Sequence, residues 1–262
     1  VVVTVDQWGD VVRQLGGQCV TLTTIITGTS GDPHDYEPTP ADAASFQGAA
    51  LVVRNGLDYD HWAEQAVEAL PTEPAVVDGG AVTGLEEGAN PHLWYSPTDV
   101  EQMSEAITTE LSKLAPAASS YFATQAQAWQ AQLEPYAEAI EEAKAAANGK
   151  SYGATEPIVE YLAEAIALRN ATPAGFQQAA ANESEPSPGD VNDFEQALRD
   201  RTMNVLVYNT QTEGAVPEQL RGVAEDAGVP VVEVTETLPP GQSSFVRWQV
   251  AQLEALVQAL GG

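Results

Sequence analysis

Four side chains, two imidazoles and two carboxylates, stand out by where they fall. His34 lies in GDPHDYEP, shortly after the apolar run VTLTTIIT, and His92 lies in GANPHLWYSP, between a fourth apolar run and a helical pattern. Glu156 lies in YGATEP and Glu236 in VVEVTETLPP, each at the end of another strand-like run. Ligands of open parallel sheets bind outside the carboxyl ends of the strands, and all four residues occupy that class of position, two from each half of the chain. Two imidazoles plus two carboxylates form a complete donor set for one divalent transition ion. Neutral imidazole nitrogen suits zinc, iron, nickel and manganese, and carboxylate oxygen shifts the preference toward the harder ions. The third histidine, His61 in LDYDHWAEQ, falls on a helical pattern beside Trp62 and reads as a structural or surface residue.

Composition limits the partners. The chain has 262 residues with 10 Lys+Arg against 38 Asp+Glu, a net charge of −28. Such a surface repels phosphate backbones and anionic headgroups, which argues against nucleic acid and membrane surfaces and for cations. Most of those carboxylates read as a solvated acidic surface. Cys19 is the one cysteine, so neither an intrachain disulfide nor a thiolate cluster can form. Its setting, QCVTLTTI, predicts a small buried hydrophobe. No run reaches the ~18 apolar residues of a membrane span. The chain opens on the strand-like VVVTV with no basic and apolar leader before it, as a mature chain would after leader removal.

The elements that must position the four residues follow a regular order. VVVTV, VTLTTIIT, ALVV and PAVVD are short, β-branched runs alternating with the helical patterns DQWGDVVRQLGG, TPADAASFQ and DHWAEQAVEAL. Fully apolar strands separated by helices predict a parallel sheet covered on both faces. The pattern restarts near residue 150 with SYGAT, then IVEYLAEAIAL, DVNDFEQALRD, NVLVYN, PEQLRGVAEDAG, VPVVEV and FVRWQVAQLEALVQAL. Pro157 is expected to open the helix after SYGAT. Between the halves Phe122, Ala126, Trp129, Leu133, Tyr136, Ile140, Ala143 and Ala147 recur at steps of four and three, one face of a long helix bent at Pro135. Ser96, Pro97 and Asp99 read as N-cap, first turn and N3 of the helix before it. The expected architecture is α/β: two lobes, each with a parallel β-sheet flanked by helices, over residues 1–115 and 150–262, joined by one backbone helix over 116–149.

The blocks GDPHDYEPTPAD, AALVVRNGLDYDHW, NPHLWYSP, TEPIVEYLAEAIAL, SEPSPGDVNDFEQAL and VTETLPPG, in this order from Val1 to Leu260, resemble the metal-binding solute receptors of bacterial ABC transporters, the zinc/manganese group also called cluster A-I. The resemblance implies two α/β lobes joined by one long helix, with the ion held between them. It implies an extracytoplasmic, lipid-anchored or free receptor that hands Mn2+ or Zn2+ to an ABC permease and is not an enzyme. The anchor would be a leader-derived cysteine not present in this chain, and the receptor would be a monomer. His34 and His92 match the two histidine ligands of the family. Glu156 matches the third ligand, His in many zinc members and Glu in many manganese members. Glu236 falls where Asp is usual, which lengthens the arm by one methylene and leaves open whether one oxygen or two would bind. The His-rich loop of many zinc receptors is missing from VTGLEEGANPH. That absence and the two carboxylates lean the reading toward manganese.

A loaded site of this composition is close to neutral, whereas an empty one leaves two carboxylates facing each other. The ion is therefore expected to stabilise the fold, and release is expected below about pH 6 as the histidines protonate. Two rival readings use the same residues. A metal-dependent hydrolase needs an open coordination position, and no H-E-x-x-H is present. A surface adhesin or partner-binding module would carry a vestigial site.

Overall fold

The first strand, β1 (Val2–Val5), has every residue buried, as a central parallel strand covered on both faces must. The computed structural model describes residues 1–28, 31–182, 184–212 and 214–261. Thr29 and Ser30, at the head of the His34 loop, lie outside the described residues. Two compact units share the chain: Val1–Glu134 with Thr237–Val246, and Pro135–Glu236 with Arg247–Gly262.

In the first unit β1 is followed by α1 (Asp6–Gly16), β2 (Thr23–Ile26), α2 (Pro40–Ser45), β3 (Leu51–Arg54), α3 (His61–Glu68), β4 (Ala75–Asp78), α4 (Gly79–Thr83), α5 (Pro97–Leu114) and α6 (Ser119–Gln132). The strands are parallel in the order β2-β1-β3-β4. The order reverses direction between β1 and β3, which makes their carboxyl ends the switch point of the sheet. The edge strand β2 is less covered than predicted: Thr23 is exposed and only Ile26 is buried. Trp8, Phe46, Trp94, Phe122 and Trp129 fill the core. Trp129 Nε1 donates to Ser104 Oγ at 2.9 Å, so the indole is buried without losing its polar contact. Ser96 caps α5 by accepting from Asp99 N, with Pro97 behind it, as predicted.

The second unit runs α7 (Glu134–Ala147), β5 (Ser151–Ala154), α8 (Glu160–Ala165), β6 (Arg169–Asn170), α9 (Ala174–Ala181), α10 (Pro188–Arg199), β7 (Val205–Asn209), α11 (Ala215–Ala227), β8 (Val231–Val234) and α12 (Phe245–Gly261), the last beginning in the first unit's share of the chain. Its sheet, β6-β5-β7-β8, is parallel and repeats the order of the first, with the switch between β5 and β7. Phe176, Phe194, Leu198, Met203, Leu206 and Leu220 form a core on one side of it. Gly153 in β5 permits that packing: a Cβ there would lie 2.3 Å from Met203 Sδ and 2.9 Å from Phe194.

The stretch read as one helix is divided. A 3₁₀ turn at Pro116–Ala118 leads into α6, and Leu133 separates α6 from α7. Pro135 has no N–H to give the carbonyl four residues back, so the ladder cannot run through unbroken. Leu133 keeps helical dihedrals and shares its N–H between Trp129 O and Gln130 O at 3.1 and 3.2 Å. The predicted apolar face is nonetheless the covered one: Phe122, Trp129, Leu133, Tyr136, Ala143 and Ala147 are all buried. Two further expectations fail. Cys19 is exposed, because it ends a 3₁₀ turn, Gly17–Cys19, in which no residue is buried. Pro157 does not open α8, which begins at Glu160 after a turn closed by Glu160 N on Pro157 O at 3.2 Å.

Candidate metal centre

The first unit contributes the histidines. His34 sits in a 3₁₀ turn, Pro33–Asp35, whose preceding Asp32 accepts from His34 N at 2.9 Å, and its ring stands edge-on to Tyr59 at 4.7 Å. His92 is 2% exposed. Asn90 Oδ1 accepts from His92 N at 3.0 Å and lies 2.7 Å from His92 Nδ1. That acceptor assigns the ring proton to Nδ1 and leaves the lone pair on Nε2. His34 Nε2 and His92 Nε2 are 3.4 Å apart. Two nitrogens each ~2.0–2.1 Å from one tetrahedral zinc ion would be about 3.4 Å apart, so the pair fits an ion without rearrangement. Burial, and secondarily the charge of His34, hold the His92 imidazole well below its ordinary pKa of 6.5. The buried ring is therefore kept in the form that can ligate.

Behind this pair lies a buried polar frame at the end of β3. The turn through Gly56, Leu57 and Asp58 has φ of 74°, 57° and 69°, a left-handed path that needs support from outside its own backbone. Asp60 supplies it, accepting from Asn55 N at 2.7 Å, Gly56 N at 2.8 Å and Thr4 Oγ1 at 2.6 Å. Asn55 Nδ2 in turn donates to Pro91 O at 2.8 Å, and Trp8 Nε1 donates to Asn55 Oδ1 at 3.0 Å. The residue before His92 is thus fixed from the switch point of the sheet.

The second unit contributes the glutamates. Glu236 is completely buried and Glu156 partly so. Asn209, the last residue of β7 and itself fully buried, donates through Nδ2 to Glu236 Oε1 at 3.0 Å and to Glu156 Oε1 over a very short contact. Its Oδ1 accepts from Gln211 N at 3.0 Å, and Gln211 Oε1 accepts from Glu236 N at 2.9 Å. One amide therefore gathers both carboxylates. The chain after Glu236 returns to the first unit, where Leu238 N donates to Asp6 Oδ1 at 3.0 Å, Gly28 N to Asp6 Oδ2 at 2.9 Å, and Thr237 Oγ1 to Gly28 O at 2.8 Å. Asp6 thereby joins Gly28 to Leu238 within the first unit. Burial raises its pKa against the opposing pull of those donors.

The structure brings His34 to His92 within one unit and Glu156 to Glu236 within the other. His61 is exposed, with Nδ1 3.7 Å from Asp58 Oδ1, in keeping with the reading of a structural or surface residue. Sequence reading passed over Asn90, Asn209, Gln211, Asp60 and Asp6. The Asn-Pro-His spacing carried a signal, since an Asn side chain commonly bonds to the backbone two residues on. Asn209 carried none beyond its place at a strand end.

The family model described as zinc-uptake complex component A, periplasmic, matches residues 1–259. The chain belongs to this family. An iron-binding protein of Yersinia pestis, YfeA, is 32% identical over 127 residues, 46% of this chain and 40% of its own length. The high-affinity zinc uptake system protein ZnuA of Bacillus subtilis is 24% identical over 215 residues, 75% of this chain and 66% of its own length. The matched part of the chain thus spans 40% to 66% of these relatives. The solved periplasmic zinc-binding protein TroA of Treponema pallidum shares the fold, with a TM-score of 0.82 at 21% identity over 99% of this chain and 98% of that one.

Proposed function

We propose that this member of the family is the extracytoplasmic receptor of an ABC importer and captures one divalent transition ion, Mn2+ or Zn2+, with His34, His92, Glu156 and Glu236. The ion is cargo, handed on to a membrane permease, and the chain does no chemistry on it. The observation that carries the reading is the 3.4 Å pair of Nε2 atoms, with His92 buried, neutral and turned by Asn90. The glutamates supply the charge that makes a buried dication tolerable. Relatives named for iron and zinc support a transition ion as cargo, and a manganese-binding lipoprotein, MntA of Halalkalibacterium halodurans, is 26% identical over 136 residues. We place the receptor outside the cytoplasm, as a lipid-anchored monomer; no helix among the described residues is long and apolar enough to cross a membrane.

Elemental analysis of protein stripped with chelator and reloaded tests the reading, together with competitive titration of manganese against zinc. One tightly held ion per chain, with affinity lost by at least 100-fold in His92→Ala and in Glu236→Gln, is expected. Absence of stoichiometric ion, or binding unchanged in both variants, overturns it. Hydrolysis of ester or amide substrates by the loaded protein would favour the rival enzyme.

A further inference from the structure

We propose that Tyr59 is a positioning residue for His34: its ring braces the imidazole so that Nε2 stays at ligating distance from Nε2 of His92. The inference rests on the four-ligand reading above, and every group it uses lies in the first unit. The two histidines are 58 residues apart in the chain, so the 3.4 Å between their Nε2 atoms needs a support common to both. On the His92 side that support is the polar frame, where Asn55 Nδ2 donates to Pro91 O at 2.8 Å and Asn90 holds the ring. On the His34 side Asp32 accepts from the backbone N at 2.9 Å, a bond that leaves the side-chain rotamer to its surroundings.

Tyr59 is part of those surroundings. Its ring centroid lies 4.7 Å from that of His34 at an interplanar angle of 84°, the edge-to-face arrangement that ring quadrupoles favour. The same ring packs on Trp94 at 5.2 Å, and Trp94 stands 5.3 Å from His92. Tyr59 and Trp94 are both buried, and a close-packed interior leaves such rings few alternative rotamers. His34, Tyr59, Trp94 and His92 thus form one chain of rings that spaces the imidazoles. The turn before Tyr59 gains a reason from this. Leu57 and Asp58 have φ of 57° and 69°, costly for residues with a Cβ. Strain of that kind persists only where the surrounding structure over-determines it, and it gathers at functional sites. Asp60 over-determines it here by accepting from Asn55 N and Gly56 N, and the side chain delivered between the strained pair and Asp60 is that of Tyr59. One frame at the end of β3 therefore places both imidazoles, His34 through Tyr59 and His92 through Asn55 and Pro91.

The test compares Tyr59→Phe, which keeps the ring, with Tyr59→Leu, which keeps apolar bulk without it. Zinc affinity is read by chelator competition and the stability of ion-free protein by urea denaturation. The ring contact is read by nuclear Overhauser effects between the His34 and Tyr59 ring protons, assigned with His34→Gln. Wild type is expected to show that contact without ion. Tyr59→Phe is expected to bind zinc within twofold of wild type, and Tyr59→Leu about 3–10-fold more weakly. A purely structural role would lower the urea stability of Tyr59→Leu and leave the zinc affinity of the folded protein unchanged. If Tyr59→Leu does not fold, the affinity of Tyr59→Phe and the Overhauser contact decide. Absence of the contact, a loss under threefold in Tyr59→Leu, or a loss over twofold in Tyr59→Phe overturns the proposal. Failure of wild type to bind zinc would instead overturn the four-ligand reading, and this inference with it.

Discussion

The hydrogen bond from His92 Nδ1 to Asn90 Oδ1 fixes which ring nitrogen carries the proton, on a side chain that is buried. Removing the acceptor frees the ring to rotate and to exchange its proton between nitrogens. Asn90→Ala is therefore expected to weaken ion binding by about 10–100-fold with little change in the fold, read by chelator competition and circular dichroism. The same burial moves the pH response. His92 has a folded-state pKa well below 6.5, so between that value and 6.5 the unfolded chain binds more protons than the folded one. Stability from the neutral ring is complete above pH 6.5 and is lost as pH falls through the lower, folded value. Release of the ion through His92 thus comes at lower pH than the pH 6 that an ordinary histidine would give. Melting temperature of ion-free protein should rise with pH across that window in wild type and rise less in His92→Gln.

At the scale of elements, the left-handed turn after β3 is held by one carboxylate. Asp60→Ala would strand the N–H groups of Asn55 and Gly56 and the hydroxyl of Thr4 in the interior, at about 1–3 kcal/mol for each unsatisfied group. A loss of several kcal/mol in urea denaturation is expected, together with weaker ion binding, because Asn55 carries the support on to Pro91. None of this was visible in the sequence, where NGLDY falls between the run ALVV and the helical pattern DHWAEQAVEAL. What the sequence did show was whatever periodicity and caps control: β1, β3, β5 and β7 as short apolar runs, α5 by Ser96 and Pro97, and the strand-end positions of His34, His92, Glu156 and Glu236. It did not show β6, two residues with no β-branched side chain that form a strand by pairing with β5. Nor did it show α4, whose Gly79 and Gly80 defy helix propensity. Asp78 caps that helix on Ala81 N, and a Cβ on Gly79 would meet Asn55 O at 2.5 Å. Tertiary packing overrode local preference there, and one-dimensional patterns do not carry it.

For the whole molecule the ruling quantity is a net charge of −28 on 262 residues. Three of the ten Lys and Arg residues stand in local surface pairs, Lys113 with Glu110, Arg199 with Glu195, and Arg221 with Glu225 and Glu233. Exposed pairs of this kind contribute little. With 10 Lys+Arg against 38 Asp+Glu, carboxylates outnumber cations by 28 (38 − 10), so the surface repels itself. Repulsion among them acts over the Debye length, about 30 Å at 0.01 M salt and under 10 Å above 0.15 M. Added salt should therefore raise the melting temperature, whereas a fold dependent on surface ion pairs would melt earlier. The cargo ion should act separately and more strongly. An ion at 100 times its dissociation constant adds about 2.7 kcal/mol. In a chain of this size that corresponds to a rise of roughly 5–11 °C. Melting curves with and without zinc, at low and high salt and with chelator in the ion-free samples, separate the two. The salt effect should survive in His92→Ala, and the zinc effect should vanish in it.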